Sequence, residues 1–393
     1  MGCTTSMEGA TMTPRTPTTT PAGAAGTTGA DRTTGTNHTS DTNHTSDTNH
    51  TASGGGTVAA AAPAGLTLDR HVDPADRAVN LARDVLTGLT ANPRELPPKW
   101  FYDATGGMLF DEITRLPEYY PTRRERAILD GHAGAIAAAC AADTLVELGS
   151  GTSEKTRLLL EALRAGGGLR RFVAFDVDET TLAQAGRGLI TAYPDLAVHA
   201  VVGDFERHLA HLPGGGRRLI AFLGGTIGNM RPAQRGAFLR ALREQCGATD
   251  ALLLGTDLVK DPDRLVAAYD DGAGVTAAFN RNVLTVINRE LGADFDIRGF
   301  AHVACWNAAD SWIEMRLRAV RDQRVTIDSL ALEIEFERGE DLLTEISTKF
   351  TRDGISAELA DAGWAVAHQW TDPEGDFAVT LATPSTSPSA APV

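Results

Sequence analysis

The sequence predicts an α/β protein: an open, mostly parallel sheet with a ligand crevice, interrupted late in the chain by an inserted α+β lobe. Three observations predict it. Residues 145–160 read as a buried strand, a Gly-Ser-Gly turn and a helix, the opening unit of a sheet whose ligands lie at the carboxyl ends of the strands. Apolar strands alternate with helical stretches through residue 257, which is the pattern of parallel strands joined by crossovers. The alternation breaks from 258 to 349 and then resumes with a helix and two closing strands.

The first 64 of the 393 residues are dominated by Thr, Gly, Ala and Asn, with Thr-Asn-His-Thr-Ser-Asp recurring between Thr36 and Thr51. Such a segment buries too little apolar surface to offset its chain entropy, so residues 1–64 are expected to be disordered. Three motifs in it are expected to be empty. The sequons at Asn37, Asn43 and Asn49 follow no signal peptide, so no glycosylating compartment is expected. His38, His44 and His50 sit six residues apart, which preorganises no metal. Met1-Gly-Cys-Thr-Thr-Ser6 fits a myristoylation pattern but lacks a polybasic partner.

The formal charge is −15, and the first 64 residues hold only Arg15 and Arg32 against Glu8, Asp31, Asp41 and Asp47. Most of the negative charge therefore sits on the body, which disfavours nucleic acid and anionic membranes as partners. Cys3, Cys140, Cys246 and Cys305 show no metal or redox spacing, which predicts no metal and suits a reducing cytoplasm. No apolar run approaches the roughly 20 residues of a membrane span.

From Leu66 the elements follow in order. Residues 73–86 predict an amphipathic helix and 92–98 a Pro-punctuated turn. Between Lys99 and Pro121, aromatics crowd around Gly and Pro without helical or strand spacing, as in a pocket wall or domain seam. Trp100, Phe101 and Phe110 read as core, whereas Tyr102, Tyr119 and Tyr120 carry hydroxyls that suit a pocket equally well.

After strand 145–148, Gly149 and Gly151 allow close approach of a ligand, and Thr152 or Ser153 caps a helix with Glu154 or Lys155 following. No third Gly stands where a pyrophosphate needs one, and Glu154 repels a diphosphate. Strand 171–176 ends in Asp176, placed to accept ribose hydroxyls, with Asp178 two positions on. Strand 197–202 ends at Gly203-Asp204-Phe205, an acid for an exocyclic amine and a ring to stack on adenine. An adenosine carrier without a diphosphate answers these features, and S-adenosylmethionine fits.

The fourth strand, from Leu219, runs into Gly224 and Gly225, with Thr226 and Asn229 facing the same crevice; a turn with a helix cap explains Asn229 equally well. Helix 232–242 and strand 251–257 complete this half. The insertion reads as one or two helices over 262–291 and strands at 300–303, 312–320 and 330–336. Helix 352–362 and strands 364–370 and 377–381 then close the sheet as class I methyltransferases do, with the last strand antiparallel. The predicted boundaries are a substrate-binding lobe from 65–122 and 258–349, a cofactor domain from 123–257 and 350–384, and a flexible tail from 385 to 393. The lobe is expected to cap the cofactor.

Several longer runs carry a resemblance. Lys99-Trp-Phe-Tyr-Asp, Arg115-Leu-Pro-Glu-Tyr-Tyr-Pro-Thr, Glu147-Leu-Gly-Ser-Gly-Thr-Ser-Glu-Lys-Thr, Gly225-Thr-Ile-Gly-Asn, Gly255-Thr-Asp-Leu-Val-Lys-Asp, Thr276-Ala-Ala-Phe-Asn-Arg-Asn and Leu343-Thr-Glu-Ile-Ser resemble the L-histidine Nα-methyltransferases of ergothioneine biosynthesis. Gly225 departs from them, standing where a Ser is usual, and the first 60 or so residues have no counterpart.

The resemblance implies a class I, Rossmann-like sheet and trimethylation of the histidine amino group to hercynine. S-adenosyl-L-methionine would be the donor and S-adenosyl-L-homocysteine the by-product, in a cytoplasmic monomer. It implies that Tyr102, Tyr119, Asn229, Tyr269 and the main chain at Gly224 surround the substrate; no His general base stands in the motifs, so Tyr102 or a bridged water is expected to relay protons. Glu345 and Ser347 would grip the imidazole beside Met315. On the donor side it implies Gly149, Gly151, Lys155, Asp176, Asp204 and Phe205. Without it, Glu345 reads as an ordinary surface charge. A class I methyltransferase for another small amino acid or amine is the alternative, told apart by the pair at 345 and 347.

Overall fold

The computed structural model describes residues 65–72, 74–151 and 155–385. The disorder expected for 1–64, the helix cap expected at Thr152 to Glu154 and the tail beyond Ser385 lie outside the described residues.

The strands are β1 (Leu66–Arg70), β2 (Thr144–Leu148), β3 (Arg171–Asp176), β4 (Ala197–Val202), β5 (Arg218–Phe222), β6 (Ala251–Asp257), β7 (Phe300–Asn307), β8 (Trp312–Ala319), β9 (Gln323–Ile327), β10 (Leu332–Phe336), β11 (Asp341–Thr348), β12 (Trp364–Thr371) and β13 (Phe377–Pro384). The helices are α1 (Pro74–Thr90), α2 (Ala104–Ile113), α3 (Pro121–Cys140), α4 (Thr156–Ala165), α5 (Glu179–Ala192), α6 (Pro232–Glu244), α7 (Pro262–Tyr269), α8 (Val275–Leu291) and α9 (Arg352–Asp361).

Eight strands form one sheet in the order β1-β4-β3-β2-β5-β6-β13-β12. Strands β2, β5 and β6 are buried at every position, as expected of parallel strands covered on both faces. β13 runs antiparallel to both β6 and β12, the ending that the sequence predicts for a class I methyltransferase sheet. The chain steps outward from β2 through β3 to β4, then returns to β5 on the other side. Adjacent strands β2 and β5 therefore diverge in their connections, and the crevice opens at their carboxyl ends.

β1 corrects one boundary. The sequence reading assigns residues from 65 onward to the lobe, but Leu66–Arg70 pairs in parallel with β4 at the edge of the large sheet.

Two apolar cores cover the sheet, one including Ile128, Leu160, Phe172 and Leu182, the other Phe175, Phe222, Phe238 and Trp364. A third core belongs to the inserted lobe and joins Leu81, Val85 and Phe101 with Phe279, Val283, Ile313 and Leu342. Residues before Pro121 and after Leu265 thus share one interior. The lobe's sheet has the order β11-β8-β7, with β9 and β10 as a separate hairpin.

The register of β11 on β8 shifts between Leu343 and Glu345. Thr344 at this bulge turns its hydroxyl inward to Asn280 Oδ1 at 2.7 Å and the Met315 carbonyl at 2.9 Å. A bulge re-aims the side chains that follow it, and here those are Glu345 and Ser347. No helix among the described residues is long and apolar enough to cross a membrane.

Candidate active site

Two glycine turns meet at the crevice. Gly149 and Gly151 take φ of 69° and 46°, and Gly224 and Gly225 take 79° and 71°, a left-handed backbone that costs an L side chain energy. A Cβ on Gly149 would meet only the Phe205 ring, at 3.9 Å, and one on Gly151 would meet open space. The turn's outer surface is therefore left for a ligand.

Asp176 braces this turn: its Oδ2 accepts the Gly151 N–H at 3.0 Å and its Oδ1 the Asp178 N–H at 3.1 Å. Burial outweighs these bonds and pushes its carboxyl above the ordinary range. Each oxygen retains a lone pair for a ribose hydroxyl. Asp178 is occupied elsewhere, capping α5 through the Thr180 and Thr181 N–H groups. Phe205 packs edge-on to Phe222, centroids 5.2 Å apart. Asp204 is held by its own N–H donating to His208 Nδ1 at 3.0 Å. A cradle of bare glycine backbone, a half-buried acid and an aromatic ring fits an adenosyl group.

Lys155 forms an ion pair with Glu125, a residue of α3 with 0% exposure. The other Glu125 oxygen accepts the Gly224 N–H at 2.7 Å, so a main-chain contact from Gly224 to substrate has to use its carbonyl. One buried carboxylate thus ties both glycine turns together. Gly255 makes room for it, since a Cβ there would lie 2.1 Å from Glu125 Oε1. Gly255→Ala is accordingly expected to cost about 1–3 kcal/mol of stability by overpacking, measured by urea denaturation; an unchanged midpoint would show that Glu125 moves freely. The Thr226 hydroxyl donates to the Leu223 carbonyl at 3.1 Å, which closes the turn and leaves only its acceptor side for a ligand. Asn229 is half-buried at the end of the same turn.

The lobe brings an aromatic cluster to this crevice. Tyr102 stacks edge-on to Phe110 at 5.6 Å and Phe279 at 5.5 Å, and Tyr119 to Phe110 and Tyr269, each at 6.2 Å. Burial pushes the Tyr102, Tyr119 and Tyr269 phenols well above their ordinary pKa, and the Glu345 carboxylate raises each further. Asp176 of the glycine turn raises the Tyr102 phenol in the same direction, so the phenol feels both the lobe's acid and the glycine turn's acid. β11 packs directly on the 226–229 turn: a Cβ on Gly228 would come within 2.9 Å of the Thr348 carbonyl.

Glu345 is half-buried, and no hydrogen bond to its carboxylate is formed among the described residues. Burial pushes it up to about 7, with Lys349 pulling the other way. Met315 lies opposite it on β8 with 2% exposure. Ser347, on the same face, has its Oγ 2.8 Å from the Tyr269 hydroxyl. A single acid, Glu345, and one pair of hydroxyls, Ser347 and Tyr269, therefore stand at the same face of β11.

Three residues here are missing from the sequence reading. Lys349 donates to the Tyr269 hydroxyl at 2.8 Å and to Ser347 Oγ at 2.7 Å, and pairs with Asp257 Oδ2 at 3.0 Å. Asp257, at the carboxyl end of β6, also pairs with Lys260 and accepts from the Tyr120 hydroxyl at 2.8 Å. Glu125 is the third. A signal existed for Lys349, which continues the alternation of Glu345 and Ser347, and for Asp257, which ends a strand at the crevice. Tyr120, read as equally suited to a pocket, is instead committed to this framework.

Comparisons with known proteins give a family match. A family model described as a histidine-specific, SAM-dependent methyltransferase matches residues 81–384. Histidine N-alpha-methyltransferase of Mycolicibacterium smegmatis is 57% identical over 81% of this chain and 99% of that protein. The protein of the same name from Mycobacterium tuberculosis is 58% identical over 77% of this chain and 94% of its own length. Ergothioneine biosynthesis protein 1 of Neurospora crassa is 30% identical over 71% of this chain and 32% of that protein.

Proposed function

The chain belongs to the family of histidine-specific, SAM-dependent methyltransferases, and from that premise we propose that it trimethylates the α-amino nitrogen of L-histidine to hercynine, the first step of ergothioneine biosynthesis. The observation that carries this reading is the face of β11. Glu345 offers an acceptor without a partner among the described residues, and the Tyr269–Ser347 pair offers hydroxyls 2.8 Å apart. A neutral imidazole presents one N–H and one lone pair, and both find a counterpart.

S-adenosylmethionine supplies a methyl group already activated on a sulfonium. Gly149, Gly151 and Lys155 would hold its amino-acid part, Asp176 the ribose, and Asp204 with Phe205 the adenine. Tyr119, Asn229 and the Gly224 carbonyl would surround the backbone groups of histidine, with Met315 as the wall beside the ring. The protein's remaining task is to hold an unprotonated amine in line, and effective molarity accounts for on the order of 7–11 kcal/mol of such a barrier.

Tyr102 takes part as a neutral phenol, because its environment opposes a phenolate. Its oxygen accepts a hydrogen bond from the amine and aims the nitrogen lone pair, and its ring tolerates the growing cation. Tyr102→Phe is expected to lower kcat about tenfold, the equivalent of ~1.4 kcal/mol, with little change in KM for histidine. Single-turnover kinetics showing all three transfers at wild-type rate would remove Tyr102 from the chemistry. The function itself is tested by incubating the chain with histidine and S-adenosylmethionine and following the mass of the product through three methyl increments; no increment on the amino nitrogen refutes it. We further propose a monomer working in the cytoplasm, in keeping with the free thiols of Cys140 and Cys246; size-exclusion chromatography with light scattering tests the monomer.

A further inference from the structure

We propose that Lys349 determines substrate specificity by fixing the Tyr269–Ser347 hydroxyl pair as a hydrogen-bond donor toward the substrate ring. The proposal rests on histidine being the substrate and concerns how its ring is read.

The Lys349 side chain is 0% exposed, and its ammonium has three N–H donors and no acceptor. Its partners are three oxygens: the Tyr269 hydroxyl at 2.8 Å, Ser347 Oγ at 2.7 Å and Asp257 Oδ2 at 3.0 Å. Each hydroxyl therefore receives one hydrogen bond from beneath. The two hydroxyl oxygens, 2.8 Å apart, use one of their own two hydrogens to bond each other. One hydrogen remains, and no other hydrogen bond from the pair is formed among the described residues, which leaves that hydrogen for the substrate ring.

Asp257 supplies the counter-charge that keeps this arrangement in place, itself held by Lys260 at 2.5 Å and the Tyr120 hydroxyl at 2.8 Å. Glu345, two residues before Ser347 and on the same face of β11, is an acceptor when ionised. The face thus presents one acceptor and one donor. A ring with an N–H but no nitrogen lone pair satisfies the carboxylate and leaves the donor unmet, and a buried donor without a partner is penalised.

The test compares kcat/KM for L-histidine and for β-(pyrrol-2-yl)-L-alanine, whose ring keeps an N–H and lacks the lone pair. The enzymes are the full chain, its Lys349→Met variant, and a Lys349→Met/Asp257→Asn variant in which the stranded carboxylate is also removed should the single variant not fold. The full chain is expected to prefer histidine by about 10–100-fold, the range that an unmet buried donor produces. In either variant the hydroxyls are released to rotate, and the preference should fall to within about threefold. Equal losses for both substrates, with the preference intact, make Lys349 merely structural and overturn the proposal. Turnover of neither substrate by the unmodified chain overturns the histidine reading as well.

Discussion

Asp257→Ala is expected to lower the unfolding free energy by about 3–5 kcal/mol, the cost of breaking a buried ion pair from one side. Asp257 has 4% exposure and stands between Lys349, with a side chain 0% exposed, and Lys260 at 8%. Its removal leaves two buried ammonium groups facing each other and strips the Tyr120 hydroxyl of its acceptor. Replacing both members of a buried pair is far milder than removing one, so Lys349→Met with Asp257→Asn should recover a large part of the loss. Urea denaturation decides the matter: a loss below about 1 kcal/mol for Asp257→Ala would mean that water or relaxation solvates the lysines.

The same residues join the lobe to the sheet. Asp257 ends β6, whereas Tyr120, Tyr269 and Lys349 belong to the lobe side. Beside them, Arg264 of α7 clasps Asp376 at 2.6 and 2.5 Å, and Arg124 of α3 reaches the same carboxylate at 2.9 Å. Asp372 fixes the turn before β13 by accepting the Asp376 and Phe377 N–H groups at 2.8 and 2.7 Å. The lobe is anchored at the mouth of the crevice, where it sets how far β11 stands from the glycine turns.

How much of this was readable from the residues divides along burial. β2, β5 and β6 were legible because parallel strands covered on both faces are apolar nearly throughout, and β3 and β4 because their apolar middles are. The turns at Gly149 and Gly224 were legible because only glycine takes their backbone conformation cheaply, and Asp176, Asp204, Phe205 and Thr226 followed from strand ends. β1 escaped because Leu66-Thr-Leu-Asp-Arg70 is short, half polar and preceded by a Thr-rich tract. α3 escaped because its first turns are a charged Arg-Arg-Glu-Arg run and its second half is mostly Ala, so its apolar positions Ile128, Leu129 and Ile136 give a weak periodic signal.

In the lobe, Tyr102 and Tyr119 were legible as pocket candidates from their aromatic surroundings, whereas the candidate residues of β11 were legible only through resemblance. Glu345 lies on β11 and Lys349 directly follows that strand, and residue type alone assigns such charges to the surface. Glu125 is hidden among Arg123, Arg124 and Arg126, and the glycine that accommodates it, Gly255, lies 130 positions later. Such pairings are tertiary facts. Nothing local announces them.

Glu345→Ala is expected to weaken histidine binding at pH 8 by roughly 1.5–3 kcal/mol, the worth of a hydrogen bond to a charged group, and the effect should depend on pH in a defined direction. Burial raises the Glu345 carboxyl from its ordinary 4.5 to about 7. A carboxyl pKa that is higher in the folded state means the native protein holds a proton that the unfolded chain has released. The ligand-free protein is therefore relieved of this penalty below about pH 4.5 and loses stability as pH rises toward 7, by roughly 3 kcal/mol for a displacement of this size. Glu345→Gln should remove that portion of the pH dependence. Binding runs the opposite way, because the ring N–H needs the ionised acid. Histidine affinity should rise through pH 7, and Glu345→Ala should cost much less at pH 5.5, where the carboxyl is already protonated and the substrate's own imidazole is charged. Calorimetry at the two pH values checks this, and an equal loss at both, or none at pH 8, would falsify the placement of the imidazole against Glu345.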